Sequence, residues 1–342
     1  MKKSAYSVDR IKVDGVEVYV LRDSTTQAEA KIAPSLGNNC YRFGLPVDGE
    51  SIDVLDPPPD LDTLRNRPTA YGNPILFPFP NRIREGKFTF EGKVYTFDKR
   101  PDAVHSIHGL LLNQSYRVES TRADAVDGAS IVCRLDSRQF PEILRQYPFP
   151  FEMLITYVLK GCILTMGVNA KNIGDVNMPM GFGIHPYFRA PLSSKSSAEK
   201  CLITVPASKY WELDHTLVPT GRIFNVEADD DARSGKPFAG MQFDNVFTDV
   251  TLSEGVSQCI IDDQDAHLRM ILEADTQFRE LVVYTPPNRS SICFEPYTCP
   301  TDAINLEAKG IKAGVIVLKP GEVFSGLIRI IADLKTANHA RN

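Results

Sequence analysis

The chain has 342 residues, 43% of them apolar, and a formal charge of -5 with both signs interspersed. That composition excludes a disordered chain and a basic nucleic-acid surface. No apolar run follows the N-terminal lysines as a signal peptide requires, and none approaches the roughly 18 residues of a membrane span.

In chain order, the first irregular stretch runs from Asp56 to Pro80 and holds seven prolines. Its end, Tyr71-Gly-Asn-Pro-Ile-Leu-Phe-Pro-Phe-Pro-Asn-Arg-Ile83, has too many prolines for a central strand. It is also too apolar to be solvated, so burial against a sheet is expected, with Asn81 and Arg82 held in a fixed place. Lys87 to Phe97 reads as a hairpin about Glu91-Gly92, with Phe88 opposite Tyr95. Ser137 to Tyr147 suits one short helix with Pro141 in its first turn. Phe151 to Lys160 alternates strictly, turns at Lys160-Gly161, and continues through Leu164, Met166 and Val168. Leu192–Lys200 and Glu227–Phe238 read as surface loops. The acidic run in the second lacks calcium-loop spacing. Leu281–Tyr284, Gly314–Leu318 and Glu322–Ile331 are again strand-length runs, the last after a Pro320-Gly321 turn. No βαβ rhythm and no change of composition interrupt this pattern. We expect an all-β fold with few short helices, as one domain over residues 1–342. Seven scattered cysteines without a C-x-x-C pair read as buried, reduced thiols of a cytoplasmic protein.

Three stretches carry candidate chemistry. In Val104-His-Ser-Ile-His-Gly-Leu110, His105 and His108 lack the helical frame that would let them share a metal, so no metal site is expected. Gly109 suggests a tight bend presenting His108 to a cavity. In GFGIHPYFR (181–189), two glycines and Pro186 restrict how His185 points. Local pattern alone leaves a packing histidine as the plainer reading. In Ile292 to Asn305, Glu295 ends an apolar strand and must be desolvated or paired. Asp302 and Asn305 read as turn or capping residues.

Taken together, GNPILFPFPNRI (72–83), HSIHG (105–109), GIHPYFR (183–189), VPTG (218–221), FDNVFTD (243–249) and FEPYTCPTDAIN (294–305) resemble the aldose 1-epimerase (galactose mutarotase) family. The pieces occur in the family's order and span most of the chain. The resemblance implies a large antiparallel β-sandwich of the galactose mutarotase type, with a sugar cleft on one face. It implies His185 as general acid and Glu295 as general base. Arg82, His108 and Asp244 are implied as holders of sugar hydroxyls, and Asn81 beside Arg82 is a further candidate. The chain departs from the family pattern at Leu110, at Tyr116 and at Asn245, which leaves the sugar preference open.

The implied reaction interconverts α and β anomers of a free aldohexose such as galactose or glucose. The ring oxygen gains a proton while the anomeric hydroxyl loses one. The C1–C2 bond rotates, and closure on the other face gives the other anomer. Such chemistry needs one acid and one base, each contributing typically about 10²–10⁴-fold, and no cofactor. The expected partner is a monosaccharide, with Phe79, Tyr187 or Trp211 as candidate floor of the site. No nucleic acid or membrane is expected, and the protein is expected to be a monomer or weak dimer. A hexose-6-phosphate 1-epimerase would need a basic cluster, for which Arg82, Arg84 and Arg189 are the candidates. A non-catalytic carbohydrate-binding module would need neither His185 nor Glu295. A glycosidase would need a carboxyl pair at a set separation.

Overall fold

A computed structural model describes residues 5–287 and 290–334 of the chain. Its first layer is a five-stranded antiparallel meander, Tyr6–Val13, Val16–Asp23, Glu29–Ala33, Asn39–Val47 and Glu50–Asp53, in chain order. The backing layer is a nine-stranded sheet. It runs Arg117–Asp124, Gly128–Asp136, Phe151–Lys160, Ile163–Asn172, Val323–Leu334, Leu268–Asp275, Val256–Asp263, Cys201–Thr204, Lys236–Pro237. The third is an eight-stranded sheet ordered Pro219–Asn225, Ala207–Leu213, Asp244–Val250, Glu280–Tyr284, Ser291–Tyr297, Gly183–Ile184, Ile75–Leu76. Its eighth strand, Tyr187–Arg189, also pairs with Ser291–Tyr297.

Alternating side chains assemble these layers. Phe151, Met153, Ile155, Tyr157 and Leu159 are buried while the residues between them are partly open, as period two dictates. One apolar cluster joins Leu21 and Phe43 of the first sheet, Ile155 and Ile330 of the second, and Val283 and Phe294 of the third. The opposite face of the third sheet buries Val246, Val282 and Tyr297 in a smaller cluster with Trp211 and Leu306. A β-sandwich whose third sheet carries side chains on both faces is the frame of the site.

The predicted hairpin is present. Phe88 pairs with Tyr95, their rings stack at 5.0 Å, and Glu91 and Gly92 take the positive φ of its turn. The turn after Lys160 falls one residue later than expected, because Lys160 still pairs with Ile163. The predicted helix is Pro141–Gln146, preceded by a 3-10 turn. Gly314–Leu318 shortens to a strand at Ile316–Leu318. Two further helices were not expected: Leu61–Asn66 lies in the stretch read as irregular, and Ala303–Ala308 where Asp302 and Asn305 were read as turn or capping residues. Each has six residues, too short for a 3.6-residue period to declare itself. None of the seven cysteines forms a disulfide. Among the described residues, no helix is long and apolar enough to cross a membrane.

Candidate active site

Strand register places the candidate residues. Across the third sheet Asp244 lies opposite Tyr284, Tyr284 opposite Cys293, and Cys293 opposite Tyr187. Directly paired residues share a face, so these four project together. The next row, two residues along, holds Val246, Val282 and Glu295. Ile292 and Phe294 point the other way, into the main core. The alternation therefore puts Glu295 on the cleft side of a strand that is buried along its whole length.

His185 reaches the same place from the neighbouring strands. Its backbone N–H donates to the Pro74 carbonyl at 3.0 Å, and Tyr187 N–H donates to Gly72 at 2.9 Å. Gly181 N–H donates to the Pro78 carbonyl at 2.6 Å. On its other side the same irregular segment accepts from His108 at Asn81 and from Leu110 at Phe77. This explains the prolines: they cannot donate, but their carbonyls accept, so the segment bridges two loops while pairing as a strand only over Ile75–Leu76 and Arg82–Ile83. The imidazole stacks on the Tyr187 ring at 4.9 Å and 12°, and the Tyr187 hydroxyl is tied to the Thr69 carbonyl at 2.7 Å. Its Nε2 lies 3.3 Å from Glu295 Oε1. The glycines of the motif make room for their neighbours. A Cβ on Gly183 would meet the Tyr297 ring at 2.3 Å, and one on Gly181 would meet Cys299 Sγ at 2.4 Å. Tyr297, so accommodated, donates its hydroxyl to Glu295 Oε2.

Around this pair lies a cavity of about 230 Å³ lined by Arg82, His108, His185, Asp244, Tyr284 and Glu295, with Asn81 among its other walls. All six candidate residues therefore meet in one place. Asn81 and His108 both have positive φ, and a Cβ on Gly109 would strike the Phe77 carbonyl at 2.1 Å. The bend anticipated at His108-Gly109 is thus real and forced by close packing. The His108 ring lies edge-on to His185 at 5.2 Å, and its Nδ1 has no hydrogen-bond partner among the described residues. Arg82 donates to Asn81 Oδ1 at 3.0 Å, and the Asn81 side chain bonds the Tyr297 hydroxyl. A polar relay thus runs from Arg82 through Asn81 and Tyr297 to Glu295.

Burial pushes the Glu295 carboxyl well above the usual carboxylate range. The Tyr297 hydroxyl pulls it back, Asp244 adds to the rise and Arg82 opposes it. Asp244 opens to solvent at the cleft rim, yet the protein around it still pushes its carboxyl up, against Arg82. Burial holds His108 well below the ordinary histidine range, aided by His185, Arg82 and Arg100.

Several residues escaped the sequence reading. Tyr284 lines the cavity edge-on to His185 at 6.3 Å. Among the three suggested floor residues only Tyr187 borders the cavity, and it backs His185. Phe79 is packed with Phe88 and Phe97, and Trp211 donates to Glu280 at 2.9 Å. Asp302 receives Arg84 N–H at 2.9 Å and donates its own N–H to the Arg82 carbonyl at 3.0 Å, bracketing Ile83 and fixing the backbone just after Arg82. That is the turn role expected of it, used to position a site residue. Tyr116 is buried in the main core. Among the described residues, His185, Cys293 and Glu295 form the one group of three metal-capable side chains, with ligand atoms within 4.8 Å of one another. His105 and His108 are not part of it. His105 instead accepts from Glu85 N–H at 3.0 Å through Nδ1.

Known proteins supply an independent measure. An uncharacterized Escherichia coli protein, YihR, is 28% identical over 243 residues, covering 70% of this chain and 73% of that protein. Galactose mutarotase of Rattus norvegicus is 29% identical over 182 residues, 52% of this chain and 49% of that one. The match thus spans about half the length of that mammalian relative. A galactose mutarotase-like protein from Clostridium acetobutylicum superposes with a TM-score of 0.87 at 23% identity, over 96% of this chain and 99% of that one. Galactose 1-epimerase from Lactobacillus acidophilus superposes with a TM-score of 0.76 at 16% identity, over 97% of this chain and 100% of that one. At those identities the superpositions speak for the fold. The family model for aldose 1-epimerase matches residues 20–330, and the chain belongs to the aldose 1-epimerase family.

Proposed function

We propose that the protein is a mutarotase, interconverting the α and β anomers of a free aldohexose by acid–base opening and closing of the ring. The observation that carries this reading is the 3.3 Å approach of His185 Nε2 to Glu295 Oε1 at the wall of a monosaccharide-scale cavity. The ring oxygen and the anomeric hydroxyl are borne by the same carbon. An acid and a base serving them must be near neighbours, and these two groups are.

In this reading His185, as imidazolium, protonates the ring oxygen while Glu295 takes the anomeric proton. The C1–O5 bond breaks, the aldehyde rotates, and both transfers reverse on closure. Tyr297 occupies Glu295 Oε2, which leaves Oε1 for the substrate and fixes the plane of the carboxylate. A carboxyl raised by burial is a stronger base once ionised, which suits Glu295 to accept the anomeric proton. Arg82, Asp244 and His108, which line the cavity, supply hydroxyl partners, and Asn81 positions Arg82. The reaction as written involves no cofactor.

The phosphate-sugar alternative loses its cluster. Arg84 is held by Asp214 at 2.8 Å and Arg189 faces Asp56 at 3.6 Å, so Arg82 alone of the three lines the cavity. Polarimetry of freshly dissolved α-glucose and α-galactose, beside their 6-phosphates, tests the reading. Catalysed rotation of the free sugars that disappears in His185→Asn supports it. No catalysis by the native protein, or native rates in that variant, defeats it.

A further inference from the structure

Two residues before Glu295, on the same strand, stands Cys293, a side chain the proton transfers leave unused. Residues two apart in a strand share a face, so the thiol and the carboxylate project together. His185 closes on both from between Gly183–Ile184 and Tyr187–Arg189, the two short strands that pair with Ser291–Tyr297. A ring nitrogen of His185, Cys293 Sγ and a Glu295 oxygen lie within 4.8 Å of one another, and all three residues are buried. We propose that these side chains form a binding site for a thiophilic divalent cation such as Zn²⁺, and that the bound ion switches the acid–base pair off. The site rests on the geometry; the loss of turnover rests also on the mutarotase reading.

The donor set suits such an ion. Zinc takes thiolate at about 2.3 Å, imidazole at about 2.0–2.1 Å and carboxylate at about 2.0–2.2 Å. Tetrahedral bonds of those lengths set the donor atoms about 3.3–3.7 Å apart. His185 Nε2 and Glu295 Oε1 already stand at 3.3 Å. Drawing the sulfur in asks for about 1 Å of side-chain movement. The other two donors are oriented beforehand. Tyr297 holds Glu295 Oε2, which leaves Oε1 as the ligand, and the Tyr187 ring stacks on the imidazole. One thiolate and one carboxylate cancel the charge of a dication, the condition for holding it in a buried place. Arg82 on the cavity wall opposes the ion and Asp244 on the same wall attracts it. Three protein donors leave one tetrahedral position, and the cavity of about 230 Å³ gives that position room for water and the ion a way in. Mg²⁺ prefers six oxygen donors, so the thiol selects against it.

Binding is a substitution. The ion replaces the proton on Cys293 sulfur, which leaves for solvent, and nothing is oxidised. It also occupies the lone pair of His185 Nε2 and the free oxygen of Glu295. Those are the positions from which the ring oxygen is protonated and the anomeric proton taken, so the metal-bound protein has neither acid nor base.

The test follows mutarotation of glucose by polarimetry in EDTA, in Zn²⁺ and in Mg²⁺, with each protein normalised to its own rate in EDTA. The native protein is expected to lose turnover in Zn²⁺, keep it in Mg²⁺ and recover it when EDTA is restored. Cys293→Ala is expected to weaken zinc inhibition at least about tenfold, because losing even an outer partner of a metal ligand typically costs about 10–100-fold. A second measurement is independent of turnover. Co²⁺ added to native protein is expected to raise a near-ultraviolet thiolate-to-cobalt charge-transfer band, which excess Zn²⁺ abolishes and Cys293→Ala lacks. Native protein without that band overturns the site, whether or not the variant folds. Equal zinc inhibition of native protein and Cys293→Ala, or equal inhibition by Mg²⁺, also overturns it. The band together with full turnover in Zn²⁺ overturns the switch. The band in a protein that turns over no sugar defeats the mutarotase reading and upholds the metal site.

Discussion

Two carboxyls, Glu295 and Glu280, are buried on the same face of the third sheet, on adjacent paired strands. Burial pushes both upward, Glu280 to about 7. Glu280 receives Trp211 Nε1 at 2.9 Å on one oxygen and Thr248 at 3.2 Å on the other. Both of its oxygens are spent on structural donors. Glu295 receives Tyr297 on one oxygen only and turns the other toward His185 and the cavity. A displaced proton affinity therefore does not by itself mark a catalytic group. What separates the two residues is an imidazole at hydrogen-bonding range and an oxygen left free of structural donors, since Glu280 also borders a hollow, of about 440 Å³.

The sharpest way to break this contrast is to remove each carboxylate. Glu295→Gln and His185→Asn are each expected to lower kcat by about 10²–10⁴-fold in polarimetric assays. Glu280→Gln is expected to leave the kcat of folded enzyme near native while destabilising it by about 1–3 kcal/mol in urea titrations. Comparable kcat losses at both positions would erase the distinction. Arg82→Leu comes next. It strips a hydroxyl partner, so kcat/KM is expected to fall by an amount worth about 1–3 kcal/mol, mostly through KM. Gly183→Ala drives a methyl into the Tyr297 ring, which must shift. A stability loss of about 1–3 kcal/mol is expected, with a fall in kcat that Tyr297→Phe should reproduce without the stability loss. The smallest effect is on the pH dependence of Tm. A carboxyl raised in the folded state stabilises below its unfolded value of about 4.3, and that contribution is lost as pH rises through the folded value. For Glu280 the loss runs from there to about 7. The Tm advantage of native protein over Glu280→Gln is therefore expected to shrink across that window, and over Glu295→Gln to shrink in the same sense. A gap that grows with pH would reverse the sign assigned to burial.

Much of this was legible in the chain itself. Strict alternation at Phe151–Lys160 and the Glu91-Gly92 turn are local signals, and local backbone sterics decide them. The short helices at Leu61–Asn66 and Ala303–Ala308 were not legible, because fewer than two turns carry no period. Tyr284 was missed because an aromatic in a strand such as Glu280–Tyr284 reads as core. Only pairing with Asp244 and Cys293 turns it to the cleft. The guess at Phe79 and Trp211 failed for the same reason, since an aromatic's face is set by what packs around it.

By itself, then, the sequence determined which chemical groups were available and where the chain must bend: a histidine between glycines and a proline, a glutamate in an apolar strand that runs on to Tyr297 rather than ending at it as expected, prolines that accept without donating. These follow from residue chemistry and short-range sterics. Tertiary structure alone decided that His185 and Glu295, 110 positions apart in the numbering, meet at 3.3 Å, that Gly183 leaves room for Tyr297, and that Glu280 stands apart from the proposed acid–base pair. Such decisions come from strand register across the sheet, which couples residues far apart in the chain and leaves no local trace.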